Sequence, residues 1–126
     1  MTEYESLRAG LENTAIPFAE YGWKTRPESD FGVVAPDMEA GSLSGDGGKQ
    51  DRAFDVSVHL FFRKLSDREA DVAAVESAMA SACGSSWELN SVQYEQETGL
   101  FHYEWICQCM GPLLTEEQHD AVHSEN

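Results

Sequence analysis

No lysine or arginine occurs after Arg68 in this 126-residue chain. Residues 1–68 hold all eight Lys and Arg against 12 Asp and Glu, whereas residues 69–126 hold 11 acids and neither base, for a net charge of −15. Such a surface repels phosphate, which disfavours ordinary nucleic-acid binding. No apolar run approaches the roughly 18 residues of a membrane-spanning helix. The opening "MTEYESLRAGLEN" lacks the apolar stretch of a secretory leader, so the expected compartment is the cytoplasm. Cysteine is scarce and odd in number, at Cys83, Cys107 and Cys109, which argues against a disulfide framework.

Catalytic motifs are missing as well. There is no G-x-S-x-G elbow and no H-E-x-x-H. "GDGGKQD" (45–51) has the glycines of a phosphate loop but not its Lys-Ser/Thr ending, and it precedes a strand rather than a helix. His119 and His123, at i and i+4 with Glu116 nearby, would share a metal only on a stable helix. A short, polar, terminal segment is a poor helix. Glu95, Glu97 and Glu104 cluster near one hairpin, but nothing there supplies a pocket for acid–base chemistry. "LFHYEWICQCM" (100–110) places metal-ligand types close together in sequence. On a strand, however, Phe101, Tyr103, Trp105, Cys107 and Cys109 share one face, while His102, Glu104 and Gln108 share the other. The cysteines then continue an aromatic row as small hydrophobes. The expectation is no catalytic, cofactor-binding or metal-binding residue.

What is present is an orderly run of elements. Thr2 and Glu5 match a capping box, followed by Tyr4, Leu7 and Leu11 at helical spacing and stopped by Pro17. Residues 16–24 and 31–38 read as short strands around the turn "TRPESD". Residues 39–51, with their glycines, read as a flexible arm. "RAFDVSVHLFFRK" (52–64) alternates clearly: Phe54, Val56, Val58, Leu60 and Phe62 face a core, and Asp55, Ser57, His59, Phe61 and Arg63 share the wetter side. A second helix is expected from Ser66 and Glu69 as another capping box, with Val72, Val75, Met79 and Ala82 as its stripe and Gly84 as its stop. Residues 86–96 and 100–110 form a hairpin turning at Gly99. These runs predict a single α+β domain over 1–112, ordered α-β-β-β-α-β-β. Its core would be an antiparallel sheet of about five strands with two helices on one face. Residues 113–126 read as a polar acidic tail.

Three stretches carry a resemblance: "YESLRAGLENTAIPFAEYGW" (4–23), "RAFDVSVHLFFRK" (52–64) and "YEQETGLFHYEWICQC" (94–109). Over roughly residues 1–110 the chain resembles the tail-completion, or tail-terminator, proteins of long-tailed bacteriophages and prophages. The resemblance implies an α+β virion protein without catalytic residues or cofactors. It also implies a ring of copies, usually six, that caps the tail tube and joins it to the neck and connector proteins. DNA would be only passing cargo, no membrane would be involved, and assembly would take place in the host cytoplasm. On such a ring, Asp46 of the glycine-rich arm and Lys49 and Arg52 at its base, with Phe61 and Arg63 on the wet face of the central strand, are the candidate interface residues. Two other readings compete: a monomeric acidic adaptor or inhibitor that engages a basic partner, and a metal-dependent enzyme built on the histidines and cysteines.

Overall fold

Thr2 begins the first helix, α1 (Glu3–Glu12), and both halves of its capping box form in the computed structural model, which describes residues 1–37 and 53–113. The Glu5 amide donates to Thr2 Oγ1 at 3.1 Å, and the Thr2 amide donates to Glu5 Oε1 at 2.7 Å. Tyr4, Leu7 and Leu11 lie on the buried stripe. Three strands follow: β1 (Phe18–Glu20), β2 (Phe31–Pro36) and β3 (Ala53–Phe62). A single 3-10 turn (Leu65–Asp67) leads into α2 (Arg68–Cys83), and β4 (Trp87–Glu95) and β5 (Leu100–Met110) complete the α+β order. The arm at 39–51 and residues 114–126 of the tail lie outside the described residues.

The strands form one sheet in the order β1-β2-β3-β5-β4. The long β3 pairs antiparallel with both β2 and β5, and β5 with β4. One pairing departs from the antiparallel expectation: β1 runs parallel to β2, Phe18 beside Gly32 and Glu20 beside Val34. The cause is the route of residues 21–30. The chain leaves β1 at Tyr21 (φ 67°) and Gly22 (φ 149°), then returns to begin β2 beside the start of β1. That early departure also shortens the strand expected over 16–24. Gly32 is required where the two strands meet, because a Cβ there would sit 2.2 Å from the Phe18 ring.

The second capping box does not form. Asp67 is the N-cap of α2 in helical geometry without a side-chain cap bond, because the 3-10 turn already feeds the chain into the helix. The C-terminal stop does form, with Gly84 at φ 63°. Helices α1 and α2 cross closely at Gly10, where an added Cβ would lie 3.3 Å from Ala78 Cβ.

The core lies between the helix pair and one face of the sheet. Val56, Val58, Leu60 and Phe62 of β3 and Trp105, Cys107 and Cys109 of β5 are fully buried there against Leu7, Leu11, Val75 and Met79. The Trp105 indole N–H donates to Glu76 Oε2 on α2 at 3.0 Å. A smaller cluster, Phe31, Phe61 and Leu100 with Trp23 and Val33, occupies the opposite face. The fold thus places three features: a margin at β4 that no described residue covers, a histidine pair on the far face, and a sulfur cluster inside the core.

Candidate functional site

The β4 margin is where the helix layer runs out. Strand β4 is the outermost of its side of the sheet, so among the described residues its outer backbone edge has no neighbouring strand. Its register shifts between Leu89 and Ser91, which places Trp87, Leu89, Val92 and Tyr94 opposite Cys107, Trp105, Tyr103 and Phe101, on the helix-side face. Trp87 packs on the core. Leu89, Val92 and Tyr94 extend past the helices and are 46%, 52% and 54% exposed. Tyr94 lies against Phe101 with ring centroids 4.8 Å apart. The result is an apolar strip along a strand whose outer edge no described residue pairs with, a combination that native proteins ordinarily cover or break up with charge.

On the far face, His59 Nδ1 lies 2.8 Å from His102 Nε2. The pair is built by register: Phe61 faces His102 and His59 faces Glu104 across β3 and β5. The rings of Phe31, Phe61 and His102 stack at centroid spacings of 4.8 and 4.2 Å. Burial pushes both histidines below their usual pKa, against the opposing pull of Glu104 on His59 and of Glu95 and Glu104 on His102. Among the described residues no serine or cysteine donates to either ring. Ser57, next to it on β3, donates instead to the Ala35 carbonyl.

Of the residues nominated for an interface, Asp46, Lys49 and Arg52 lie outside the described residues, as do Glu116, His119 and His123. Phe61 is not on a wet surface. It is 6% exposed, because residues 21–30 fold back over it: Trp23 Nε1 donates to the Gly32 carbonyl at 2.9 Å, and the Arg26 guanidinium stands 5.3 Å from the Phe61 ring centroid. Arg63 is exposed but engaged. Its side chain donates to the carbonyls of Glu28 (2.6 Å) and Pro27 (3.1 Å), and so pins that same segment.

The third feature was hidden from strand parity. Cys107 and Cys109 face the core as expected, but Cys83, the last residue of α2, meets them there. Cys107 Sγ is 2.9 Å and Cys109 Sγ 3.5 Å from Cys83 Sγ. The three sulfurs lie within 4.8 Å of one another. The signal was available: the stripe Val72, Val75, Met79 continues at helical spacing to position 83. Contacts from the two strand thiols favour any thiolate on Cys83 and draw its pKa down. At Cys107 the contact with Cys109 pulls the same way, but Cys83 and burial outweigh it and raise the pKa. Cys109 is raised by both neighbouring thiols and by burial.

A shallow recess of about 360 Å³ lies beside β4, lined by Asp55, Ser86, Trp87, Glu88 and Gln108 among others. No helix is long and apolar enough to cross a membrane among the described residues. No protein-family model and no curated protein sequence matches the chain.

Proposed function

We propose that this is a non-enzymatic virion protein of a phage or prophage, a tail terminator that assembles with copies of itself into a ring. The ring, six-membered in the family it resembles, caps the tail tube and joins it to the neck and connector. The observation that carries this reading is the uncovered β4 margin. Leu89, Val92 and Tyr94 line a strand edge that is open among the described residues, and contiguous exposed apolar surface of this kind marks an association site. A ring needs an interface in which one surface meets a different surface on the next copy. An outermost strand offers one such surface without disturbing the core. The charge supports the same reading. Copies each carrying −15 would line a conduit that repels DNA rather than holding it.

The test is the mass in solution at several concentrations, with and without purified tail tubes. A ring, or a ring formed on the tube, is the expected result. A chain that stays monomeric, ignores tubes and binds a basic protein instead returns the acidic-adaptor reading.

A further inference from the structure

We propose that Cys83, Cys107 and Cys109 form a three-sulfur site for a soft monovalent ion, Cu(I). This inference is independent of the ring. Three observations carry it.

The first is geometry. Three thiolates around one ion at about 2.3 Å would stand roughly 4 Å from each other. The observed sulfurs span that spacing, from 2.9 Å between Cys107 and Cys83 to at most 4.8 Å. The shortest approach is inside the ~3.5–4.0 Å at which even carbon atoms pack best. Small χ1 adjustments would therefore centre the three sulfurs on one ion.

The second is the support. Cys107 and Cys109 are two residues apart on β5, paired to Val56 and Phe54 of β3, and Cys83 ends α2. A site on a central strand and a helix end is held more tightly than one on loops.

The third is the donor set. Among the described residues no histidine or carboxylate joins the group. Hard ions such as Mg²⁺ or Ca²⁺ need oxygen ligands. A structural Zn²⁺ site needs a fourth ligand, which none of the described residues supplies. Thiolates select Cu(I), which is satisfied by few, soft ligands. Cys107 and Cys109 are fully buried and Cys83 is 9% exposed at the helix end beside Gly84. The ion would reach the site past Cys83 and then be sealed from water. Each thiol that ligates gives its proton to solvent.

Reduced protein is titrated anaerobically with Cu(I) against a competing chromogenic chelator, and the loaded sample is examined by X-ray absorption. One Cu(I) per chain in an all-sulfur, three-coordinate shell is expected. Cys83→Ala, at the rim, should lower the affinity at least tenfold and leave a two-sulfur shell. Cys107→Ser should do likewise if circular dichroism shows it folded. Four results overturn the site: uptake no greater than that of a Cys83→Ala/Cys107→Ser/Cys109→Ser chain, oxygen or nitrogen in the shell, affinity unchanged by Cys83→Ala, or tighter binding of Zn²⁺ than of Cu(I). The wild-type shell is read directly, so the test does not depend on any variant folding.

Discussion

His59 Nδ1 and His102 Nε2 meet at 2.8 Å on the face of the sheet away from the helices, so one imidazole must donate while the other accepts. Protonating both would put two donors nose to nose beneath the Arg26 segment. Burial already holds both pKa values below the ordinary 6.5. A base whose pKa is lower folded than unfolded binds fewer protons when folded, so its stability is complete above about pH 6.5 and is lost as pH falls below it. Relative to wild type, His102→Gln is expected to flatten the decline in melting temperature between about pH 6.5 and about pH 5. Parallel curves for the two proteins would count against the pair as the cause.

Asp71 pulls the opposite way. Its carboxyl is pushed up to about 7, by burial first and by Asp30 beside it. An acid with a raised folded pKa contributes stability at low pH that is lost as pH rises through that value. Asp71→Asn should therefore raise the melting temperature at pH 8, by about 3–5 °C for a gain of about 1 kcal/mol. At pH 5 the gain should be smaller. An equal gain at both pH values would mean that the aspartate is not strained by its charge.

Gly32 is expected to tolerate no side chain. Alanine would drive its Cβ into the Phe18 ring, and overpacking of this kind costs about 1–3 kcal/mol. Phe18→Ala in the same chain should recover part of that loss, because it removes the obstacle. Chemical denaturation of the single and double variants measures this coupling.

Trp105 tests the helix–sheet layer. Trp105→Phe leaves a void in a fully buried site and strips Glu76 of its indole donor, an expected loss of about 1–3 kcal/mol. Glu76→Gln keeps an acceptor oxygen and should cost well under half of that. Equal losses would place the energy in the charge rather than in the packing.

How much of this was legible in the sequence depended on how far apart the partners were. The Thr2 and Glu5 capping box is a matter of three residues and formed as read. The parity of "LFHYEWICQCM" is strictly local too, and it placed Trp105, Cys107 and Cys109 inside. Ser66 and Glu69 matched the same capping pattern, but the 3-10 turn before α2 moved the cap to Asp67. The parallel β1 and the burial of Phe61 share one cause, the return of residues 21–30 across the sheet. Alternation within a strand cannot report that path, because it is fixed by contacts such as Arg63 with the Pro27 and Glu28 carbonyls. Helical spacing turns Cys83 inward with Val75 and Met79, but its meeting with Cys107, 24 residues on, is set by the docking of the helix. The β4 strip was obscured in the same way. Its register shift puts Leu89, Val92 and Tyr94 on one face, where simple alternation would have split them.

The association of copies through that strip is the central claim, and Tyr94→Glu with Val92→Glu addresses it most directly. Both side chains are about half exposed, so the double variant should still fold, which circular dichroism checks. Mass measured by light scattering, alone and with tail tubes, should show rings for the wild type and single chains for the variant. Wild-type chains that remain single under both conditions, or variant chains that still form rings, would contradict the account.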